Sequence, residues 1–232
     1  MPKGELIYRQ RRATRVTHWL WAVCLFFLLF SGLQIFNAHP VLQIGQESGF
    51  DYDNAIARFE VPSALTMPSG RSLATGRVIH FFFGWVLVGT LGVWLVASIW
   101  NGHFRALIPT LADLRALPRN VADHIRLRFH HSRDYNVLQK LAYAGVLFVV
   151  LPGIVATGLT MSPGFNAVAP WLLDIFGGRQ TARTLHFGLM LALVLFFVVH
   201  MAMILLAGPL NEIRSIVTGW YRVGGDSDDH AA

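Results

Sequence analysis

The most prominent feature of the chain is a set of four long apolar runs, at residues 16–36, 78–100, 141–162 and 184–208. None of these runs contains Asp, Glu, Lys or Arg. A helix needs about 20 apolar residues to cross the roughly 30 Å hydrocarbon core of a bilayer, and each run reaches that length. Backbone in lipid must satisfy its own hydrogen bonds, and no run alternates as barrel strands do. The pattern predicts an all-α integral membrane protein with a four-helix transmembrane bundle.

The connections between the runs are polar and carry the charges. Residues 37–77 are too polar to cross a membrane, so we expect an ordered external loop that is available to a partner. The connection after the second run is basic, and we expect a short amphipathic helix around residues 109–117. Pro152 and Gly153 interrupt the third run, which predicts a local kink because Pro152 cannot donate a backbone hydrogen bond.

The chain is predicted to form one domain at residues 1–220, followed by a disordered tail at residues 221–232, with no internal repeat. Fourteen of the 19 basic residues lie in the N-terminal segment, the middle connection and the C-terminal segment. Basic residues that flank membrane spans stay on the cytoplasmic side. Both termini are therefore predicted to be cytoplasmic.

Composition supports a membrane protein and excludes a nucleic-acid-binding one. Hydrophobic residues make up 54% of the chain and charged residues 14%, whereas an ordinary soluble domain has about 25% charged residues. The net charge of +6 comes from residues around the spans, which favours membrane topology and lipid contact over nucleic-acid binding. Cys24 is the single cysteine, so the chain has no intramolecular disulfide.

Four of the ten histidines fall within or at the edge of the apolar runs: His18, His80, His186 and His200. Ionisable residues are rare at membrane depth and usually face the bundle interior. His186 and His200 are 14 residues apart, which is close to four helical turns, so they share a face about 21 Å apart. The alternating direction of the helices predicts two levels, His18 with His200 and His80 with His186.

Two opposed imidazoles without a carboxylate or thiolate fit a six-coordinate haem iron, whose porphyrin supplies the other four ligands. Zinc would need further protein ligands, and a proton relay would normally include carboxylates. A haem also needs space, and Gly32 and Gly84 lie on helix faces where a porphyrin could approach the backbone. Histidines that only bridge helices, in a haem-free scaffold or a transporter, remain an alternative.

Several short motifs resemble those of the bacterial dihaem cytochrome b family, which is cytochrome b561-like and includes the membrane subunits of nickel-iron hydrogenases and formate dehydrogenases. Within this family, the chain most resembles the thiosulfate-reductase-type cytochrome b subunits. The motifs are Thr17–Trp19, Ser31–Gln34, His80–Phe81 with Gly84–Trp85, Tyr135–Asn136 with Gln139–Lys140, and Gly177–Phe187. The resemblance extends from His18 to about Trp220.

The resemblance implies two haems b and a quinone as redox partner. His80 and His186 would be the axial ligands of an external haem, and His18 and His200 those of a cytoplasmic haem. In relatives the quinone site lies near the cytoplasmic haem. The polar residues predicted there are Tyr135, Asn136, Gln139 and Arg15. Arg179 and Arg183 are predicted to pair with the propionates of the external haem, because a guanidinium matches a carboxylate.

The implied function is electron transfer between the quinone pool and a peripheral oxidoreductase subunit, in the bacterial inner membrane. That partner would be a molybdenum or iron–sulfur subunit on the external, periplasmic face. The chain would then be an electron-transfer subunit of a respiratory complex rather than its catalytic subunit, and would need no catalytic acid or nucleophile. A stand-alone quinone-linked haem oxidoreductase remains an alternative.

Overall fold

The computed structural model of the chain describes residues 5–48, 55–70, 72–102, 107–125 and 137–223. The helices in these ranges are α1 (Arg12–Phe36), α2 (Leu73–Trp100), α3 (Leu111–Ile125), α4 (Val137–Gly145), α5 (Leu151–Thr160), α6 (Pro163–Val168), α7 (Trp171–Ile175), α8 (Arg179–Ala207) and α9 (Pro209–Thr218). The strands are β1 (Leu6–Tyr8), β2 (Val41–Gln43), β3 (Ala55–Arg58) and β4 (Trp220–Arg222).

Four helices in the described part of the chain are long and apolar enough to cross a membrane, which confirms the predicted bundle. They are Arg12–Phe36, Leu73–Trp100, Lys140–Thr160 and Arg179–Ala207. Most begin a few residues before the predicted apolar runs. The reason is that a helix continues through a polar first turn outside the hydrocarbon region. In α2, for example, Ser72 caps the helix by accepting a hydrogen bond from the Thr75 amide.

The bundle consists of two helix pairs, α1 with α2 and the α4–α5 segment with α8. Their shared core is centred on Cys24, Leu87 and Leu151, which are each 3% exposed or less. Outward-facing residues are apolar as well: Val93 is 70% exposed and Leu195 is 65% exposed. Such a surface would be unfavourable in water and is suited to lipid.

The third span is not a regular α-helix, because a π-helical turn at Val146–Val150 separates α4 from α5. Pro152 follows directly, in the first turn of α5. A proline lacks the amide hydrogen that a regular helix would use at this point, and a π-turn is one way to accommodate an interrupted ladder. The irregularity predicted at Pro152 therefore takes the form of a wide turn before it.

Two small antiparallel ribbons, which the all-helical prediction missed, lie at opposite ends of the bundle. β1 pairs with β4, so that the segments before α1 and after α9 meet at what we call the terminus end. β2 pairs with β3 at the opposite end, called the loop end. The tail predicted from residue 221 is wrong at its start, because Tyr221 and Arg222 are held in β4 by pairing with residues 6 and 7.

The segment that follows β2 caps the N-terminus of α8, the helix that carries two of the candidate histidines. The carbonyl of Gly45 accepts hydrogen bonds from the amides of Gln180 (2.9 Å) and Thr181 (3.3 Å). The Thr184 hydroxyl donates to the carbonyl of Gln43 at 2.7 Å. The first amides of a helix have no partner within it. The loop therefore supplies acceptors that hold α8 in place.

Candidate functional site

The structure brings the four candidate histidines together in the two predicted pairs. At the loop end, His80 of α2 faces His186 of α8, with ring centroids 6.3 Å apart and ring planes at 61°. At the terminus end, His18 of α1 faces His200 of α8, also with centroids 6.3 Å apart and ring planes at 50°. Each pair combines two helices, so the bundle must be assembled before either pair exists.

The spacing within each pair fits a metal bound between the two rings. A metal–imidazole bond is about 2.0 Å long, so two imidazoles that share one metal would have ring centroids roughly 6 Å apart. The observed 6.3 Å matches this value in both pairs. Among the described residues no group of three or more His, Cys, Asp or Glu could hold a metal. A two-ligand site suits haem iron, which brings its own equatorial nitrogens.

The surroundings of the terminus-end pair are aromatic. Phe196 lies one turn before His200 and stacks on it, with ring centroids 5.7 Å apart and planes at 14°. Trp19 packs edge-on against His18 at 5.4 Å. These contacts restrict rotation of the imidazoles about their side-chain bonds, which helps to hold them in opposition.

The two predicted glycines differ in their relation to the histidines. A Cβ atom added to Gly32 would lie 3.2 Å from Cε1 of His80, so the absence of a side chain makes room for this ring. A Cβ added to Gly84 would meet only Leu28, at an ordinary 3.9 Å. Sequence reasoning missed Gly158, where a Cβ would lie 3.2 Å from Cε1 of His186. Its signal was present, since Thr157-Gly158-Leu159 repeats the pattern Ser31-Gly32-Leu33.

The two predicted propionate partners contact the protein backbone at the loop end. Arg183 donates to the carbonyls of Val41 (3.1 Å) and His39, and its guanidinium lies 5.6 Å from the Phe36 ring centroid. Arg179 donates to the carbonyl of Met161 at 3.2 Å. In this arrangement both side chains tie the loop to the bundle, and their role toward a propionate stays a prediction.

The residues predicted for a quinone site are only partly described by the structure. Tyr135 and Asn136 lie outside the described residues. Gln139 belongs to α4, but its side chain is outside the described part. Arg15 donates through Nη1 to the carbonyl of Val217 at 2.9 Å. Its Nε is buried and has no hydrogen-bond partner among the described residues.

Comparison with known proteins gives two matches that cover most of the chain. The family described as prokaryotic cytochrome b561 matches residues 9–219, a range that contains all four histidines. A protein of Azospira oryzae, named "Putative protein-methionine-sulfoxide reductase subunit YedZ1", is 32% identical over 199 residues, which cover 83% of this chain and 87% of that protein. The relative's name refers to methionine sulfoxide and does not mention thiosulfate.

Proposed function

Since the chain belongs to the prokaryotic cytochrome b561 family, we propose that it conducts electrons across the membrane through two haems b, each held by one of the two histidine pairs. His80 and His186 hold the loop-end haem, and His18 and His200 hold the terminus-end haem. The observation that carries the proposal is the 6.3 Å separation of the rings in both pairs. Haem iron between two imidazoles supplies a one-electron couple.

The protein's contribution is to hold ligands and to exclude water. His186 and His200 lie on one face of α8, about 21 Å apart along the helix. The histidine pairs are separated by apolar side chains of the core around Leu87 and Leu151. A low-dielectric surrounding of this kind influences the redox potential of a bound cofactor, together with ligand orientation and hydrogen bonding.

The haem content of the purified protein tests this proposal. A pyridine haemochrome assay is expected to give about two haems b per chain, and His186→Ala and His200→Ala are each expected to lose one, because each removes an axial ligand of a different pair. His230→Ala, outside the four apolar runs, is the matched control. A colourless preparation, or full haem content in both ligand variants, would contradict the proposal.

Quinone or quinol is the proposed redox partner at the terminus end. The buried Nε of Arg15, three residues before His18, offers a hydrogen-bond donor that no described residue uses. A quinone carbonyl is an acceptor, and a hydrogen bond from a charged donor is worth about 1.5–3 kcal/mol. This unused donor supports a site beside the terminus-end haem, for which Tyr135, Asn136 and Gln139 stay predicted residues.

Arg15→Gln is expected to slow haem reduction by a short-chain quinol about tenfold or more, because it removes this charged donor. Stopped-flow absorbance after addition of ubiquinol or menaquinol analogues measures the rate. Reduction by dithionite should not change, and Arg12→Gln, an exposed arginine on the same helix, is the control. Equal quinol rates in the two variants would argue against a role for Arg15.

A peripheral oxidoreductase subunit at the loop end is the proposed second partner. The name of the Azospira oryzae relative describes a reductase subunit, and a subunit works with another polypeptide. Ribbon β2–β3 lies beside the loop-end pair, and Ile56 of this ribbon is 57% exposed. An exposed apolar side chain on this ribbon, whose strand β2 contacts α8, supports docking of a molybdenum or iron–sulfur subunit at the loop end. The loop end would then face the periplasm across the bacterial inner membrane.

A further inference from the structure

Both histidines of the loop-end pair contact a hydroxyl group on the neighbouring helix. The Ser31 Oγ lies 3.1 Å from Nδ1 of His80. The Thr157 Oγ1 lies 3.1 Å from Nδ1 of His186. Ser31 precedes Gly32 on α1, and Thr157 precedes Gly158 on α5. The same contact therefore occurs once in each helix pair.

The direction of these hydrogen bonds follows from the other partner of each hydroxyl. Ser31 donates to the carbonyl of Phe27 at 2.6 Å, and Thr157 donates to the carbonyl of Gly153 at 2.8 Å. A hydroxyl has one hydrogen to donate, and its lone pairs remain to accept. Since each proton is already directed to a carbonyl, the hydroxyl accepts from the histidine. Nδ1 then carries the hydrogen, which also bonds to the backbone carbonyl of Leu28 in the case of His80 and of Ile154 in the case of His186, and Nε2 keeps its lone pair.

The glycines that follow these hydroxyls make room for the rings. A Cβ on Gly32 would lie 3.2 Å from Cε1 of His80 and 3.5 Å from its Nδ1. A Cβ on Gly158 would lie 3.2 Å from Cε1 of His186 and 3.6 Å from its Nδ1. Contacts as short as 3.2 Å require the neighbour to move by a few tenths of an ångström. Glycine thus allows the ring to reach the hydroxyl before it.

The arrangement is repeated in the sequence as well as in space. Ser31-Gly32-Leu33 is paired with Arg77-Val78-Ile79-His80-Phe81, and Thr157-Gly158-Leu159 with Arg183-Thr184-Leu185-His186-Phe187. The terminus-end pair differs, because Nδ1 of His18 is buried without a hydrogen-bond partner among the described residues. The combination of a hydroxyl that contacts Nδ1 and a glycine that follows it is therefore a feature of the loop-end pair.

We propose that Ser31 and Thr157 are positioning residues that, together with the neighbouring backbone carbonyls of Leu28 and Ile154, fix the tautomer and orientation of His80 and His186 and thereby lower the redox potential of the loop-end haem. The proposal rests on the two-haem function above. An acceptor on Nδ1–H makes the imidazole a stronger electron donor through Nε2. A stronger donor favours ferric over ferrous iron. Gly32 and Gly158 provide the close approach that this hydrogen bond needs.

Thr157→Val and Thr157→Ser separate the hydroxyl from the shape of the side chain. Valine keeps the branched shape but cannot accept a hydrogen bond, so the potential of one haem is expected to become more positive, while the other haem is unchanged. Serine keeps the hydroxyl and is expected to retain the wild-type potential. Spectroelectrochemical titration of the purified protein measures both potentials, and a tenfold change in relative ferric and ferrous affinity corresponds to 59 mV.

Ser31→Ala provides an independent test from the other helix pair, and it should shift the same haem in the same direction. Low-temperature EPR of the oxidised protein identifies which ferric haem signal moves. Thr160→Val is the matched control, because its hydroxyl is buried and donates to the carbonyl of Thr157. Unchanged potentials in Thr157→Val and Ser31→Ala, or equal shifts in Thr157→Val and Thr157→Ser, would overturn the inference. If the variants bind two haems with unshifted potentials, this inference fails and the proposed function still holds. If the wild-type protein binds no haem, the proposed function itself fails.

Gly32→Ala tests the close approach. The added methyl group is expected to displace His80 and to shift the EPR signal of the loop-end haem. It should also lower the affinity of the protein for this haem about 10–100-fold, as loss of a supporting contact does at other metal sites. Gly89→Ala is the control: it lies on the opposite face of α2 from His80, and a Cβ there meets none of the described residues within 4 Å. Full haem retention with an unchanged EPR signal in Gly32→Ala would contradict this part of the inference.

Discussion

Asp113 is the clearest case in which a single polar residue outside the membrane spans organises its surroundings. Its carboxylate accepts hydrogen bonds from the amide and the hydroxyl of Thr110, both at 2.8 Å, and from Nζ of Lys140 at 3.2 Å. The Asp113 amide donates back to the Thr110 hydroxyl at 3.2 Å. This reciprocal cap begins α3, and the lysine connects α3 to the third span.

We expect the stability contributed by Asp113 to depend on pH. Hydrogen bonds from the Thr110 amide and hydroxyl, and then Lys140, hold the pKa of this carboxyl below its ordinary value of 3.8. A depressed pKa means that the stabilisation is fully present above the ordinary pKa and is lost as the pH falls through the lower, folded-state value. Asp113→Asn should therefore melt at a lower temperature than wild type at neutral pH. The difference should shrink below about pH 4, and a constant difference in thermal melts would contradict this explanation.

At the scale of elements, the contact between the loop and α8 decides how the loop-end site is built. Gly178 precedes α8 with a φ of 106°, a conformation that residues with side chains rarely adopt. A Cβ there would lie 2.6 Å from the carbonyl oxygen of Gly45. The backbone of residues 43–46 can approach the helix N-terminus because Gly178 has no side chain. The loop is thereby fixed to the helix that carries His186 and His200.

Gly178→Ala is expected to destabilise the protein by about 1 kcal/mol or more, because it combines an unfavourable φ with a clash against backbone. Thermal unfolding in detergent, with limited proteolysis of residues 41–58, measures the effect. Gly164→Ala is the control, since Gly164 has no positive φ and a Cβ there meets none of the described residues within 4 Å. If the two variants melt alike, the cap is not a significant restraint on α8.

At the scale of the whole molecule, the four spans place the two histidine pairs at opposite ends of one bundle. Pairing of β1 with β4 holds residues 6–8 beside residues 220–222 at the end that holds His18 and His200. Fourteen of the 19 basic residues belong to the N-terminal, middle and C-terminal segments of the sequence, which the alternating direction of four spans predicts on one side of the membrane. We therefore expect the terminus end to face the cytoplasm and the loop end to face the compartment of the proposed partner subunit.

Cysteine labelling tests this orientation, because the natural Cys24 is 1% exposed in the core and should not react. Ser63→Cys at the loop end is expected to react with a membrane-impermeant maleimide in intact spheroplasts. Val223→Cys at the terminus end should react only after the membrane is permeabilised. The reverse pattern would show that the bundle is inserted in the opposite direction and would move the proposed partner to the cytoplasmic side.

Much of the architecture could be predicted from local sequence. Charge-free runs of about 20 residues determine the spans because lipid tolerates few charges and no unpaired backbone. The 14-residue spacing of His186 and His200 determines that they share a face. Ribbons β1–β4 and β2–β3 were missed because strands of three or four residues acquire stability only through partners distant in the sequence.

The sequence by itself determined the four helices, the depth of each histidine and therefore which histidines could be paired. Only the tertiary structure decided that the loop-end rings point their Nδ1 atoms at Ser31 and Thr157. It also decided that Gly32 and Gly158 lie against these rings, and that Arg183 binds loop carbonyls. The physical reason is that helical periodicity fixes the direction and depth of a side chain within its own helix. Hydrogen bonds and close approaches between helices depend on how the helices are rotated and packed against one another, which no single segment encodes.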